Sequence, residues 1–456
     1  MDKPTSSFIV VRGRRRIGKS TLIKHFAKPY TFYAFEGLPP VSNTTAQQQR
    51  DEFARQLSHQ TGLPAILADD WIKLFQLLWE KSKIGTIVIL LDEISWMGSK
   101  DPEFLGKIKM AWDNYFSNNP HIMLIVCGSA SSWIEQNILS STGFVGRISY
   151  TLTLEELPLQ VLRQFWNSAH ISGYEILKML SITGGVPKYL EEINPKLSAE
   201  KNIQHTCFSK GGFFVEEFDR IFSDLFLRDS QLYKTIITIL ANGPRTMTAI
   251  AEHADFSKSG RLSDYLNELE LNGFIHKDTV WNFKTGHAKK VAVYRLKDNY
   301  VRFYVKYIEP NRHKIERNTF LLTNLSSLQN WSSVFGLQFE NLVLHNRLAI
   351  YDQLGLAAHD IECDGPYMQY QTTTVLGCQI DYLIQDRFNT LYVCEIKFSQ
   401  NPIGVSVVND MQQKIQALKV PKHMSLRPVL IHVSDITADV ASSQYFYKII
   451  DFSKMV

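Results

Sequence analysis

Residues 7–24 read Ser7-Phe8-Ile9-Val10-Val11-Arg12-Gly13-Arg14-Arg15-Arg16-Ile17-Gly18-Lys19-Ser20-Thr21-Leu22-Ile23-Lys24: an apolar run, a basic loop bounded by two glycines, and the start of an amphipathic segment. Ser7–Arg12 predicts a strand and Lys19–Ala27 a helix, so the loop between them is a strand-to-helix turn. In that setting Gly13–Ser20 satisfies G-x-x-x-x-G-K-[ST], a pattern that carries chemistry only when strand and helix flank it. The glycines let the backbone curl until its N–H groups, with those of the helix N-terminus, surround phosphate oxygens. Gly13, Ile17 and Gly18 would shape that cradle around ATP. Lys19 would reach the β- and γ-phosphates, the Ser20 hydroxyl would coordinate Mg²⁺, and Thr21 would add a phosphate contact.

A second run completes the pattern. Thr86–Leu91 is apolar throughout, as in a central parallel strand buried on both faces, and it ends in Asp92-Glu93. After a phosphate loop, Asp92 is expected to hold Mg²⁺ through water. Glu93 is expected to polarise the attacking water as general base. A third apolar run, Ile122–Cys127, precedes Ser129, where a polar side chain can sense the γ-phosphate; the alternative is a plain turn. Arg147 is a candidate arginine finger or sensor, against an ordinary ion-paired surface arginine. Three such strands separated by helical stretches predict a doubly wound parallel α/β sheet.

Length and composition bound the remainder. A chain of 456 residues exceeds one hydrophobic core and implies three or four domains. The net charge of +4 is too small to argue for nucleic acid, so any such case rests on where the charges sit. The five cysteines are scattered, odd in number and lack zinc-ligand spacing, which argues against a disulfide framework or metal knuckle. No apolar run approaches the roughly 20 residues that span a bilayer, and the start has no signal-peptide pattern, so a cytoplasmic protein without a membrane partner is expected.

Beyond Leu159–Glu192, a helical stretch broken at Thr183–Pro187, the texture changes. Helices are predicted at Gln231–Ala241, Thr248–Ala254 and Ser259–Asn272, followed by strands Phe274–Phe283 and Lys290–Leu296 joined by a Lys284-Thr285-Gly286 turn. Three helices and a hairpin predict a winged helix-turn-helix. Ser257 is the expected N-cap of the third helix, whose Leu262, Leu266 and Leu269 form an i, i+4, i+7 core stripe. Lys258, Arg261, Asp264 and Asn267 would then face a partner. Lys284, His287, Lys289 and Lys290 make a basic wing suited to DNA phosphates. Asp264, Glu268 and Glu270 oppose that use, and the alternative is a wing that only packs domains.

Toward the C-terminus, Gln379–Ile384 reads as a strand containing Asp381, and Leu391–Phe398 as a strand containing Glu395 and Lys397. Residues two apart share a strand face, so Glu395 and Lys397 point the same way. A hairpin at Asp386–Asn389 would bring Asp381 beside Glu395. Two carboxylates and a lysine converging there would bind Mg²⁺ and activate water for phosphodiester hydrolysis. A plain Glu395–Lys397 ion pair has the same sequence.

Gly13–Ser20, Leu90-Leu91-Asp92-Glu93-Ile94, Cys127-Gly128-Ser129, Gly146-Arg147-Ile148-Ser149 and Thr183–Leu190 together resemble the STAND-type AAA+ ATPases of archaea and bacteria. The resemblance implies that Gly184-Gly185-Val186-Pro187 lies on a helical lid, with Pro187 near the adenine. Tyr294–Asn299 and Arg302-Phe303-Tyr304 resemble members that end in a domain related to PD-(D/E)XK nucleases, whose D…E-x-K pattern Asp381, Glu395 and Lys397 match. That likeness makes Glu340, in the helix Val334–Leu348, the helical acidic metal ligand, and Gln412 an auxiliary residue. In one respect the chain departs from the family: only a few residues precede Phe8, where the family has a further helical segment that helps hold the base.

The expected division is an ATPase core at 1–160, a helical lid at 161–228, a winged helix at 229–310 and an α/β restriction-endonuclease-like domain at 311–456. The expected activity is that of an ATP-driven regulator acting on DNA, with a homo-oligomer as a candidate state. The alternative is a switch controlling protein–protein contacts, with a C-terminal domain that does not cleave.

Overall fold

The computed structural model describes residues 5–40, 44–166, 171–225, 230–254, 259–320 and 324–456, which divide into two compact units, Met1–Glu155 and Glu156–Val456. Ser257 and Lys258 lie outside the described residues.

The first unit is a five-stranded sheet of β1 (Ser7–Arg12), β2 (Thr31–Glu36), β3 (Ile87–Asp92), β4 (Ile122–Gly128) and β5 (Ile148–Thr153). The order is β2-β3-β4-β1-β5 and every pairing is parallel, so helices cross over between strands. β3 lies inside the sheet and Ile87–Leu91 are all buried, which accounts for its unbroken apolar run. Side chains alternate between two cores. Phe8, Val10, Ile89 and Leu91 pack with Phe53, Trp71 and Trp112 on one face. Val11, Val88, Leu90 and Ile125 pack with Ile23 and Ala27 on the other.

β2 and β5 are edge strands that the sequence reading missed. Their residues are exposed or partly buried, and only Phe35 of β2 is fully buried. Helices behind the sheet are fixed at their starts: Thr45 and Gln48 form a capping box for Ala46–Thr61, and the Asp70 carboxylate caps Trp71–Glu80.

In the second unit, helices Gly173–Thr183 and Pro187–Glu191 meet at Gly184-Gly185. Gly184 has φ 56°, and a Cβ on Gly185 would stand 2.4 Å from the Leu157 carbonyl oxygen. The two glycines therefore let this turn close on Glu156-Leu157, where the Gly185 N–H donates to a Glu156 carboxylate oxygen at 2.8 Å. Pro187 begins its helix at a position that needs no N–H.

Helices Ser230–Leu240, Met247–His253 and Ser259–Leu271 follow, with β6 (Arg245–Thr246), β7 (Ile275–Trp281) and β8 (Ala288–Leu296) in the order β6-β8-β7. Leu262, Leu266 and Leu269 are buried, as the stripe predicts, and Arg261, Asp264 and Asn267 are exposed.

The β7–β8 hairpin is not a free-standing wing. Trp281 and Phe283 share a core with Tyr367, Ile380, Leu383 and Val393. The Trp281 indole N–H donates to Gln385 at 2.8 Å, and the Gln385 amide donates to the Phe283 carbonyl at 2.9 Å. Lys284, His287, Lys289 and Lys290 remain exposed on the same hairpin.

The C-terminal sheet comprises β9 (Ile361–Gln369), β10 (Cys378–Asp386), β11 (Thr390–Lys397), β12 (Ser425–His432) and β13 (Lys448–Asp451), ordered β13-β12-β11-β10-β9. It is mixed: β9, β10 and β11 are antiparallel, and β11, β12 and β13 are parallel. Helix Ser406–Ala417 makes the crossover from β11 to β12. The helix expected over Val334–Leu348 is instead two, Trp331–His345 and Arg347–Leu354, broken at Asn346, whose side chain accepts from the Leu159 N–H at 2.8 Å.

Candidate functional site

The phosphate loop leaves β1 through a residue that has to be glycine. Gly13 has φ 144°, and a Cβ there would lie 2.4 Å from the Leu154 carbonyl oxygen. Gly18 caps the following helix at φ 88°. Between them Arg16 holds φ 72°, a left-handed conformation without glycine's freedom; such positions cost about 1–3 kcal/mol and collect at functional sites. Buried Ile17 anchors the loop to the core. Thr21 is exposed on the first turn.

Lys19 is buried and spans the loop: its ammonium donates to the carbonyls of Gly13 at 2.8 Å and Arg14 at 3.0 Å. Burial pulls its pKa below the usual lysine range, while Cys127, Glu93 and Asp92 pull it back up.

β3 delivers the acidic half. The Ser20 hydroxyl donates to Asp92 Oδ2 at 2.5 Å, and Asp92 Oδ1 accepts the Glu93 N–H at 3.0 Å. A hydroxyl and a carboxylate in contact are hard oxygen donors of the kind Mg²⁺ takes, so the residues present fit that ion.

Glu93 sits at φ 49°, which turns it off the strand toward β4. There its Oε2 accepts both the N–H of Ser129, at 3.2 Å, and the Ser129 hydroxyl, at 3.1 Å. Burial raises the Glu93 pKa, opposed by Lys19 and by the two hydrogen bonds from Ser129. The ends of β1, β3 and β4 thus bring together Gly13, Ile17, Gly18, Lys19, Ser20, Asp92, Glu93 and Ser129.

Arg147 and Pro187 are the two other expected members of this site. The Arg147 guanidinium is forked onto Asp113, Nε to Oδ1 at 2.7 Å and Nη2 to Oδ2 at 2.9 Å, and Asp113 also holds Lys109. Pro187 belongs to the second unit.

In the second unit, β10 and β11 bring Asp381 beside Glu395 across their antiparallel pairing. Asp381 Oδ2 accepts the Ile396 N–H at 3.0 Å, and Lys397 lies 2.8 Å from Glu395 Oε1. Between the carboxylates stands a residue the sequence reading passed over. The Lys414 ammonium is 2.6 Å from Glu395 Oε2 and 3.4 Å from Asp381 Oδ1. Burial works against that ammonium, but the two carboxylates outweigh it and raise its pKa. Asp381 is pushed up by burial and by Glu395.

Gln412, the expected auxiliary residue, is exposed on the same helix. The signal for Lys414 was available: Val407 and Met411 form the buried stripe of that helix, and 414 is the next position on it.

Glu340, on helix Trp331–His345, is pushed up to about 8 by burial and Asp381, with Arg295, Arg302 and Lys414 pulling it down. The expected metal ligands Glu340, Asp381 and Glu395 are not gathered as a ligand set: among the described residues no three His, Cys, Asp or Glu side chains are grouped to hold a metal ion. The physical reason is the lysine seated between two of them.

Comparison with known proteins bears on the first unit. Residues 1–193 match the model of a family of ATPase domains found predominantly in Archaea. An uncharacterized protein of Methanocaldococcus jannaschii is 26% identical over 346 residues, covering 75% of this chain and 73% of its own. Among solved structures, a Walker-type ATPase of Pyrococcus abyssi is 15% identical with a TM-score of 0.49, covering 67% of this chain and 91% of its own. The ORC2 protein of Aeropyrum pernix is 14% identical with a TM-score of 0.43, covering 69% and 89%. No described helix is long and apolar enough to cross a membrane.

Proposed function

We propose that the chain binds and hydrolyses ATP at Lys19, Ser20, Asp92 and Glu93 and uses that cycle to regulate action on nucleic acid. The observation that carries the ATPase reading is the contact of Ser20 with Asp92 at 2.5 Å, directly beside a glutamate aimed off the strand end. Bound Mg²⁺ would supply charge neutralisation at the β- and γ-phosphates, held by Ser20 and, through water, by Asp92. Lys19 would exchange its two carbonyl partners for phosphate oxygens. Glu93 would take the proton of the attacking water, for which it must be ionised and released from Ser129. Ser129 would then be the residue that reports the γ-phosphate to the base. Arg147 would join only after leaving Asp113, and Pro187 would border the adenine. ATP turnover and binding by Lys19→Ala and Glu93→Gln test the site: the first should lose turnover, the second should bind and not hydrolyse.

Nucleic-acid action would run through residues 229–310, read as a winged helix, and 311–456, read as a nuclease-like domain. The exposed Lys284, Lys289 and Lys290 support it. DNA affinity that falls steeply with salt is the expected signature, and salt-independent or absent binding would remove this part of the proposal.

A specific observation favours a second reading, an ATP-controlled switch whose C-terminal domain does not cleave. Trp281 and Phe283 tie the wing into the C-terminal core, and Lys414 pairs with both carboxylates of the expected nuclease centre. Nicking of plasmid DNA with Mg²⁺ or Mn²⁺ that Glu395→Ala abolishes would favour the first reading; no nicking by a preparation active on ATP would favour the second.

A further inference from the structure

At the Asp381–Glu395 centre each of the four carboxylate oxygens already has a donor. Asp381 Oδ2 accepts the Ile396 N–H at 3.0 Å and Oδ1 faces Lys414 at 3.4 Å. Glu395 Oε2 accepts from Lys414 at 2.6 Å and Oε1 faces Lys397 at 2.8 Å. Two carboxylates and two ammonium groups balance without any added ion. Lys414 is also held in place, because Val407, Val408 and Met411 of its helix are buried against the sheet. Glu340, the third acidic side chain here, has Arg295 and Arg302 for electrostatic partners and joins no ligand set.

We infer that Lys414 is a resident cation: its ammonium stands between Asp381 and Glu395 where a divalent ion would have to bind, and so closes the centre to Mg²⁺ and Mn²⁺. An ammonium is a compact point charge whose three donors match carboxylate oxygens, whereas Mg²⁺ demands near-octahedral oxygen ligation. Entry of a divalent ion would require Lys414 to leave, stripping its partners and turning a neutral cluster into one of net charge +1. The inference rests on the nuclease-like reading of this sheet for its choice of metal, and not on the ATPase reading.

Mn²⁺ titration of the nucleotide-free full chain, with free Mn²⁺ followed by electron paramagnetic resonance, tests it on the wild type, Glu395→Gln, Lys414→Met and Lys414→Gln. Any Mn²⁺ held at the phosphate loop is common to all four and cancels. The wild type should hold no Mn²⁺ that Glu395→Gln removes. The Lys414 variants should gain a site at least about ten-fold tighter than anything in the wild type, lost again when Glu395→Gln is added. A Glu395-dependent site in the wild type would overturn the inference, as would a folded Lys414 variant that gains none. If melting by circular dichroism shows both Lys414 variants unfolded, the wild type against Glu395→Gln decides alone. ATP turnover on the same samples, unchanged by the Lys414 substitutions, separates failure here from failure of the ATPase reading.

Discussion

Two places on the sheets of this protein carry paired acidic residues, and their surroundings set them to different tasks. Asp92-Glu93 meets a hydroxyl, Ser20, and a second serine, Ser129, while the nearby lysine, Lys19, is turned onto backbone carbonyls. Asp381 and Glu395 meet two lysines directly. In the first centre the acidic oxygens face neutral donors that can exchange for a metal ion and water. In the second, the ammonium groups already neutralise the carboxylates. Carboxylate spacing alone does not distinguish a cation site from an ion-paired core; what faces each oxygen does.

The largest effect that would sharpen this comparison is at Lys19. Lys19→Ala removes the side chain that would engage the phosphates, and ATP turnover should fall on the order of 10²–10³-fold. Turnover within a few-fold of the wild type would dissolve the contrast between the centres.

Next comes Glu395→Ala, which leaves the Lys414 and Lys397 ammonium groups without their shared carboxylate. Breaking a buried pair costs about 3–5 kcal/mol, but both lysines are partly exposed, so about 2 kcal/mol of stability is expected, read from urea midpoints. Glu93→Gln should be nearly neutral by the same assay, since Ser129 can still donate to the amide oxygen. Equal losses at the two sites would break the comparison.

A further effect is in pH. Burial and Asp381 push the Glu340 pKa up to about 8 in the fold, against the ordinary carboxylate range when unfolded. Between those values the folded state binds the extra proton, so stability should fall as pH rises from about 4.5 to about 8 and level off above. Glu340→Gln should flatten that slope, measured as melting temperature against pH; an unchanged slope would assign it to other groups. At the first centre burial raises Glu93, so ATP turnover should climb with pH until Glu93 is fully ionised. Smallest of all, Lys289→Ala with Lys290→Ala should lower the salt dependence of DNA binding by about one to two in logarithmic slope, uniformly across sequences.

How much of this was legible in the sequence depends on the same physics. The phosphate loop and β3 could be read because their constraints are local: two glycines, one lysine and an unbroken apolar run buried on both faces. The edge strands β2 and β5 could not, since a half-exposed edge lacks that run. The stripe Leu262, Leu266 and Leu269 was readable from helical period, but the burial of Trp281 and Phe283 against Tyr367 depends on contacts between residues distant in sequence. Asp381, Glu395 and Lys397 were placed together from strand alternation and the hairpin. Lys414 is not singled out by the sequence motif, which points on that helix only to Gln412; it follows from the burial of Val407 and Met411, whose stripe reaches 414 next.

The most direct measurement of the central claim is ATP hydrolysis by the full chain with Mg²⁺, beside Glu93→Gln, with nucleotide affinity determined for both. The account predicts turnover by the wild type, and affinity retained with turnover lost in Glu93→Gln. Hydrolysis at the wild-type rate by the variant would contradict the assignment of Glu93 as base, and no ATP binding by either protein would contradict the site itself.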